Sequence, residues 1–206
     1  LGANALDADA CDKIFAAKGR PQDNPLIVHV SNFNMLYDIV KEVPKKAKAL
    51  MDAFWPGPLT IIFDKKNIIP DKVTAGMDTV GIRMPSNKIA LELIEKSGVP
   101  IAAPSANRSK RPSPTKASHV IHDLKGRVDM ILTGEDCDYG LESTVLAIKG
   151  NEATILRPGA ITKEDIECIF DKVNVDNAVL EQFKGGKVAS PGMAHTHYTP
   201  NADVYV

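Results

Sequence analysis

The polar residues best suited by type and spacing to do chemistry follow a short apolar run, residues 99–103. The next segment carries Ser105, Asn107 and Ser113 together with three prolines and three cations. Hydroxyls, an amide, backbone N–H groups and positive charge within a few residues suit the binding of a phosphorylated or carboxylated ligand. A proline-rich surface turn with solvated charges is the alternative interpretation of the same residues.

Four more candidates come from other parts of the chain. Lys18 and Arg20 stand at the end of a predicted helix, where cations also complement the helix dipole without any ligand. His29 lies in an apolar strand, where it is either a hydrogen-bonded core residue or a ligand-binding one. Arg83 ends another apolar strand, and its guanidinium needs either an acidic side chain or a ligand carboxylate or phosphate as its partner.

Ser143 and Arg157 stand at predicted strand ends, where a capping or turn role is equally open. The sequence has no GxxxxGK[ST] loop, no GxSxG and no cysteine–histidine nucleophile arrangement. His119 and His122 lack the cysteine or carboxylate pattern that would complete a zinc site. The candidates therefore predict anion binding without covalent catalysis and without a protein-bound metal.

The elements that must position these residues alternate irregularly, which favours one α/β domain with a mixed sheet over regular βαβ winding. Helices are predicted near residues 7–17, 33–40, 44–54, 87–96, 115 or 118 to 125, and 161–170. Strands are predicted near residues 26–30, 59–63, 79–84, 99–103, 129–132, 143–148 and 154–156. Asp7 and Gly19 are expected to cap the first helix, and Thr162, with Asp165 three residues on, the last.

Composition limits the function classes. The 206 residues suffice for one well-buried domain, and a formal net charge of −1 argues against a protein that coats nucleic acid. Cys11, Cys137 and Cys168 are widely spaced and form no CxxC pair, which indicates a reduced, cytoplasmic protein. No apolar run approaches the roughly 20 residues of a membrane span, so no membrane partner is expected.

Short motifs spread over nearly the whole chain carry a family resemblance when they are taken in order. They occupy residues 18–21, 24–29, 54–60, 80–85, 103–107, 142–145, 156–161, and 190–193 with 197–198. Each motif is weak by itself. The ordered set resembles the YrdC family, the threonylcarbamoyl-AMP synthases, and in particular its two-domain members.

This resemblance implies an α/β fold in which a twisted mixed sheet with flanking helices surrounds a large, positively lined cavity. It divides the chain into a catalytic domain (1–187), a linker that serves as a lid (188–201) and the start of a Rossmann-like second domain (202–206). The strand that usually opens the family's sequence, of the type Pro-Thr-x-Thr-x-Tyr-Gly, does not occur in these 206 residues. The chain is therefore expected to be a fragment of a longer protein, with impaired activity.

The resemblance also implies a reaction. L-Threonine, bicarbonate and ATP would give threonylcarbamoyl-adenylate and pyrophosphate. Other proteins would then transfer the threonylcarbamoyl group to tRNA, next to the anticodon. Mg²⁺ would accompany the ATP phosphates, held mainly by ATP and water, because the sequence shows no cage of carboxylates.

Residue roles follow from matching this chain to the family's motifs. The implied ATP site consists of Arg20, Asn24, Thr79, Ser105, Ser113, Arg157 and Tyr198. The implied threonine site consists of His29, Arg83, the Ala103 backbone and Ser143. The implied catalytic group is Lys18, Arg20, Ser105 and Asn107. Within these sets, Asn107 would orient the Ser105 loop, and Tyr198 would close over the nucleotide.

Two other functions remain open at this stage. An RNA-binding module without catalysis would also use a concave basic surface, and it predicts an affinity that falls steeply with salt and does not depend on ATP. A related carbamoyl-adenylate-forming domain of the hydrogenase-maturation type would use similar motifs. The linker motifs at 190–193 and 197–198 favour the two-domain synthase over this second alternative.

Overall fold

The computed structural model describes residues 1–180 of the chain. The strands in this part of the chain are β1 (Ala3–Asn4), β2 (Val28–His29), β3 (Leu59–Asp64), β4 (Thr79–Arg83), β5 (Ile101–Ala102), β6 (Thr144–Lys149), β7 (Glu152–Arg157) and β8 (Lys172–Val175). The helices are α1 (Ala8–Lys18), α2 (Phe33–Ile39), α3 (Lys45–Phe54), α4 (Asp71–Thr74), α5 (Lys88–Ser97), α6 (Ala117–Leu124), α7 (Lys163–Glu167) and α8 (Asn177–Leu180). None of the helices in residues 1–180 is long and apolar enough to cross a membrane.

All of these strands belong to one mixed sheet, in the order β1-β5-β2-β4-β3-β6-β7-β8. The pairs β2–β4, β3–β6 and β7–β8 are parallel, and the remaining pairs are antiparallel. These directions bring the ends of β2, β4 and β7 to the edge of the sheet where β3 and β6 begin. The mixed α/β sheet predicted from the sequence is confirmed, and its strand directions gather the candidate residues along one edge.

The two faces of the sheet differ in character because successive side chains of a strand point to opposite sides. One face packs against the helices and forms the main apolar core, which includes Ile61, Ile82 and Leu146. The alternate positions form the polar face, which carries His29 and Arg83 on paired strands. Within residues 1–180, a small apolar cluster of Ile27, Val145 and Leu156, with Ile62 and Ala147 beside it, lies apart from the main core.

A β-bulge interrupts the pairing of β6 with β7. Val145 pairs with Arg157, whereas the adjacent Leu146 pairs with Ile155, so Leu156 is the extra residue. Leu156 packs against Val145, while Ile155 is buried in the main core. The bulge therefore lets β7 end with Arg157 beside the start of β6.

The helix ends follow the predicted local signals. Asp7 accepts two backbone N–H hydrogen bonds at the start of α1, and Gly19 ends that helix in the left-handed conformation, with φ of 62°. At α7, Thr162 and Asp165 form a reciprocal capping box. These caps confirm the corresponding predictions from the sequence.

One predicted strand is wrong. Residues 129–132 form no strand in the structure, and the large side chains of Met130 and Leu132 are 74% and 55% exposed. A short apolar run becomes a strand only where a neighbouring strand offers it a partner, and the order of the sheet leaves none for this segment.

The structure also adds elements that the sequence pattern did not indicate, namely β1, α4, β8 and α8. β8 pairs in parallel with β7 and buries Val173. Helix α6 begins after Lys116, whose side chain makes no capping hydrogen bond, and not at Thr115 or Ser118 as predicted. At its start, the Thr115 N–H donates to Nδ1 of His119 at 3.4 Å.

Candidate functional site

The centre of the polar face is the pair formed by His29 at the end of β2 and Arg83 at the end of β4. These two residues are directly opposite each other in the parallel β2–β4 ladder, so their side chains share one face. The turn between α3 and β3, which includes a cis Trp55–Pro56 peptide, packs beside them. Gly57 of this turn donates its N–H to the Met84 carbonyl at 2.9 Å.

Arg83 is oriented by this turn. Its Nε donates to the Gly57 carbonyl at 2.9 Å, and within residues 1–180 this is the hydrogen bond that its guanidinium makes. The two terminal nitrogens, Nη1 and Nη2, are therefore available as a fork, the geometry that binds a carboxylate through two hydrogen bonds. Burial lowers the pKa of Arg83. The acidic partner that was the alternative for this residue is not found in the described part of the chain.

His29 is a neutral imidazole at physiological pH. Burial, followed by the positive charge of Arg83, lowers its pKa from 6.5 to about 3. Its Nδ1 is buried and has no hydrogen-bond partner among the described residues. A buried nitrogen without a partner is costly, so this atom is a candidate contact for a ligand beside Arg83.

Ser143 and Arg157 form a second group at the same edge. Arg157 donates from Nε and Nη2 to the Ser143 carbonyl at 3.1 and 2.9 Å, and from Nη2 to the Ser143 hydroxyl at 3.0 Å. A hydrogen bond of 2.8 Å joins the hydroxyls of Ser143 and Thr60. The network thus links a predicted ATP-binding residue, Arg157, directly to a predicted threonine-binding residue, Ser143.

Arg20 and Asn24 lie in the loop between α1 and β2. Arg20 donates from Nη2 to the carbonyls of Asn24 and Pro25 at 3.2 and 2.9 Å. Its Nε and the Oδ1 of Asn24 are both buried without a hydrogen-bond partner among the described residues. These two atoms therefore offer one donor and one acceptor to a ligand.

The guanidinium groups of Arg20, Arg83 and Arg157 lie close enough to influence one another. Burial lowers the pKa of Arg20 and of Arg157 to about 10; Arg157 adds to the effect on Arg20, and Arg83 adds to the effect on Arg157. Asp23 and Glu142 act in the opposite direction on Arg20 and Arg157 respectively. All three guanidinium groups stay charged at neutral pH, and such a cluster of cations can attract anions.

Lys18 of α1 holds the backbone of the serine-rich loop that follows β5, at Ser105 and Asn107. The Lys18 ammonium donates to the carbonyls of Ser105 and Asn107 at 2.5 and 2.6 Å, and to Asn107 Oδ1 at 3.3 Å. These three bonds use the three donors of the ammonium. Burial, then Arg20, lowers the pKa of Lys18 to about 7, an effect that Asp123 opposes. Lys18 thus acts in the structure as a loop anchor and has no donor left for a phosphate.

Other contacts complete the loop. Asn107 donates from Nδ2 to the carbonyls of Arg108 and Arg111 at 2.8 and 2.7 Å, which curls the chain around its side chain. Asp123 of α6 accepts from the Arg108 N–H at 3.0 Å and from Arg111 Nη1 at 2.5 Å. Ser105 itself is exposed, so its hydroxyl is presented by a loop whose backbone is fixed.

Ala103 and Ser113 border this loop. The Ala103 N–H donates to the Ile27 carbonyl at 2.9 Å, so the group that Ala103 can offer to a ligand is its carbonyl. The Ser113 hydroxyl donates to Glu142 Oε1 at 2.9 Å. Ser113 is thereby tied to the segment that leads into β6, next to Ser143.

Thr79 lies at the other end of β4 from Arg83, on the same face of the sheet. It lines a cleft with Pro25, Ile27, Ile62, Thr74, Met77 and Gly81, among others. A Cβ on Gly81 would come within 3.2 Å of the Thr60 methyl group and 3.3 Å of Ile62. Because Gly81 has no side chain, the polar face of the sheet is unobstructed between the mainly apolar cleft and the guanidinium groups.

The structure brings together most of the residues that the sequence singled out. The described members are Lys18, Arg20, Asn24, His29, Thr79, Arg83, Ala103, Ser105, Asn107, Ser113, Ser143 and Arg157. Tyr198 and the predicted linker lie outside the described residues. Residues 1–180 contain no group of three or more histidine, cysteine, aspartate or glutamate side chains that could hold a metal ion.

Sequence reasoning missed three contributors. Thr60 supplies the hydroxyl partner of Ser143, Gly57 supplies the carbonyl that orients Arg83, and Glu142 supplies the acceptor for Ser113. Thr60 and Gly57 belong to the motif at 54–60 and Glu142 to the motif at 142–145, so their positions were available. Their partners are distant in sequence and become visible only in the folded sheet.

The mixed sheet and the three neighbouring guanidinium groups define the class of protein: an α/β domain with a cluster of partly buried cations at one end of its strands. A family model of Sua5, YciO and YrdC proteins, described as "Telomere recombination", matches residues 1–159. A second model, described as "Threonylcarbamoyl-AMP synthase, C-terminal domain", matches residues 161–206. The chain belongs to the Sua5/YciO/YrdC family.

Individual relatives agree with this assignment. The chain is 51% identical to a threonylcarbamoyl-AMP synthase of Bacillus subtilis, over all of this chain and 59% of that protein. A crystal structure of Pyrococcus abyssi Sua5 complexed with L-threonine superposes with a TM-score of 0.92 at 46% identity, over 98% of this chain and 59% of that one. A structure of full-length HypF has a TM-score of 0.66 at 21% identity, over 76% of this chain and 24% of that one, and shows the fold alone. The chain spans 59% of the length of the Bacillus subtilis synthase and 60% of that of a Pyrococcus abyssi synthase.

Proposed function

We propose that this chain carries the substrate-binding domain of an L-threonylcarbamoyladenylate synthase. L-Threonine, bicarbonate and ATP would be converted to threonylcarbamoyl-adenylate and pyrophosphate. The observation that carries the proposal is the geometry of Arg83, whose Nε is fixed by Gly57 while its two terminal nitrogens face the polar side of the sheet beside His29. That fork suits the carboxylate of an amino acid.

Threonine would be held along the edge formed by β2, β4 and β6. Arg83 would bind its carboxylate, and the Ala103 carbonyl, the His29 Nδ1 and the Ser143 hydroxyl would be further polar contacts. This assignment is supported by the threonine complex of the Pyrococcus abyssi relative, which has nearly the same fold. The neutral state of His29 adds no positive charge that would oppose the threonine ammonium.

ATP would lie along β4, from the cleft at Thr79 toward the guanidinium groups of Arg20 and Arg157. Four residue steps of about 3.4 Å separate the two ends of this strand, so the cleft and the cationic end can accept different parts of one nucleotide. Asn24, Ser105 and Ser113 would add polar contacts. Mg²⁺ is expected to arrive with the ATP phosphates as part of the substrate.

The chemistry requires positioning more than proton transfer. The threonine amine would capture carbon dioxide or bicarbonate, and an oxygen of the resulting carbamate would attack the α-phosphorus of ATP, with pyrophosphate as the leaving group. Because the carbamate oxygen is already anionic, this step needs no general base. Arg20 and Arg157 would stabilise the charge that accumulates on the phosphates, and Lys18 with Asn107 would hold the Ser105 loop in place.

The proposal extends to the proteins that use the product, to the cellular location and to the linker. The product would be passed to other proteins that modify tRNA next to the anticodon. The three cysteines form no disulfide, which supports the reducing environment of the cytoplasm. Tyr198 and the linker around it would close over the nucleotide.

The position of the cations favours a small ligand over an RNA backbone. Arg20, Arg83 and Arg157 are each partly buried and are engaged by nearby carbonyl groups. Nucleic-acid backbones are bound mainly by exposed cations distributed over a surface. The arrangement therefore supports a pocket for a nucleotide and an amino acid.

The decisive experiment measures pyrophosphate release from ATP by the 206-residue chain, with and without L-threonine and bicarbonate. Release that needs both co-substrates, accompanied by a product with the mass of threonylcarbamoyl-AMP, is the expected result. L-Serine in place of threonine is the control and should be a poorer substrate. Isothermal titration of L-threonine with a non-hydrolysable ATP analogue tests the binding step separately.

Two outcomes would contradict the proposal. Absence of both product formation and threonine binding would remove its basis. RNA binding that weakens steeply with salt, in a chain that binds neither threonine nor nucleotide, would favour the RNA-binding function instead.

A further inference from the structure

Glu142 lies between two groups that are proposed to bind ATP. Its Oε1 accepts a hydrogen bond from the Ser113 hydroxyl at 2.9 Å. Its negative charge also acts on the guanidinium of Arg157, where it raises the pKa against the lowering caused by burial. One carboxylate therefore serves both the serine-rich loop and the end of β7.

The backbone fixes Glu142 in this position. A Cβ on Gly159 would lie 2.5 Å from the Glu142 carbonyl oxygen and 2.7 Å from the Ser143 carbonyl carbon. The chain that follows Arg157 therefore packs directly against residues 142–143, and only glycine permits that approach. The segment that carries Ser113 is fixed as well, because the Cys137 N–H donates to the nearby Thr115 carbonyl at 3.0 Å.

Arg157, on which Glu142 acts, is one of three neighbouring guanidinium groups. Arg157 is under the influence of Arg83, and Arg20 is under the influence of Arg157. A carboxylate oxygen and a phosphate oxygen are acceptors of the same kind for guanidinium and hydroxyl donors. A polyphosphate that binds Ser113 must therefore take its hydroxyl from Glu142, and near Arg157 it meets the repulsion of the Glu142 carboxylate, which acts on that guanidinium.

We propose that Glu142 is a positioning residue that competes with the nucleotide phosphates for Ser113 and Arg157. It keeps the Ser113 hydroxyl aligned, and its charge weakens the hold of the three guanidinium groups on polyphosphate. The inference rests on the proposed function, because it takes Arg157 and Ser113 as the phosphate-binding groups. Its consequence for turnover is that the pyrophosphate product leaves a site that would otherwise retain it.

The test compares Glu142→Gln with the unchanged 206-residue chain. Glutamine keeps an oxygen acceptor for Ser113 but removes the negative charge. Calorimetric titration with inorganic tripolyphosphate, which contains neither adenine nor threonine, is expected to show binding about tenfold tighter in the variant because one repulsive charge has gone. Glu135→Gln is the matched control, since it removes the same charge from an exposed position in the preceding segment and should leave the affinity unchanged.

A second measurement separates positioning from a merely structural role. In the pyrophosphate-release assay, Glu142→Gln is expected to lower the KM for ATP and also kcat, because the product would be released more slowly. A structural defect would raise KM. Glu142→Ala, which removes the charge and also the acceptor, should likewise bind tripolyphosphate more tightly than the unchanged chain.

The outcomes decide the proposal in each case. Tripolyphosphate binding that is unchanged or weaker in Glu142→Gln, or absent from both proteins, would overturn it. Tighter binding in the variant together with no threonine-dependent pyrophosphate release by the unchanged chain would support the role of Glu142 and count against the proposed synthase alone.

Discussion

The replacement Arg83→Ala tests the assignment of the threonine site most directly. The structure fixes the Arg83 guanidinium through a single bond from Nε to the Gly57 carbonyl, 2.9 Å long. Its Nη1 and Nη2 remain for a ligand. Alanine removes the whole fork, while the sheet retains its strand because Val80 and Ile82, which are buried on the other face of β4, are unchanged.

The expected magnitude follows from the two bonds that a carboxylate would lose. Hydrogen bonds to charged groups contribute about 1.5–3 kcal/mol each, so the lower end of the range gives about 3 kcal/mol for the pair. This corresponds to an increase of roughly a hundredfold in the dissociation constant of threonine. The ATP analogue should weaken much less, because the groups proposed for its phosphates, Arg20 and Arg157, keep their own backbone contacts.

Isothermal titration of each ligand into the unchanged chain and the variant provides the comparison. Arg83→Lys is the matched variant, since it keeps the positive charge but loses both the bond to Gly57 and the planar fork. The threonine affinity of Arg83→Lys should lie between that of the unchanged chain and that of Arg83→Ala. Equal losses for threonine and for the ATP analogue in Arg83→Ala would refute the division of the site into two parts.

Two further predictions concern residues that the site holds in place. Lys18→Met should lower the free energy of opening of the Ser105 loop by about 2–4 kcal/mol, because the carbonyls of Ser105 and Asn107 lose a buried charged donor. Faster amide hydrogen exchange across the loop would report this change. His29→Gln should reduce the loss of stability on acidification. The native state excludes a proton from His29 that the unfolded chain accepts between pH 6.5 and about 3, at up to about 1.36 kcal/mol per pH unit.

Each of these two predictions has a matched control. Lys110→Met removes an exposed cation from the same loop and should leave hydrogen exchange unaltered, so equal effects of the two lysine variants would rule out the anchoring role of Lys18. For His29, urea unfolding at pH 7 and pH 5 gives the pH dependence. The exposed His122, changed to glutamine, should behave as the unchanged chain does. A His29→Gln protein with the same acid sensitivity as the unchanged chain would show that His29 is not the group that titrates.

The sequence predicted those elements that carry their own local signals. The caps at Asp7 and Gly19 and the box at Thr162 depend on side chains within a few residues of one another. The strand predicted at 129–132 is wrong because a strand depends on a partner, and no strand of the described sheet pairs with this segment. β8 itself gave too short a pattern to be distinguished before its parallel partner, β7, was known.

The residues of the candidate site show the same difference between local signals, which the sequence reveals, and distant partners, which it does not. Residue types and their places at strand ends indicated an anion-binding role for Arg83 and Arg157, but not the partners that orient them. The Gly57 carbonyl is 26 residues from Arg83, and the Ser143 carbonyl is 14 residues from Arg157. Lys18 shows this limit of sequence-based prediction most clearly. Its residue type suggested a phosphate contact, whereas in the structure its ammonium donates to the carbonyl of Ser105, which is 87 residues away.

The bulge in β7 has a consequence for how this chain tolerates changes in length. Because Leu156 is an extra residue opposite β6, its removal would leave Ile155 opposite Leu146 and Arg157 opposite Val145, so the Arg157 guanidinium would stay on the polar face. If instead the bulge were straightened with Leu156 in place, Leu156 would pair with Val145, and Arg157 would turn toward the helices and the apolar core. The end of β7 can therefore lose one residue at Leu156 without reversing the side of the sheet that Arg157 faces.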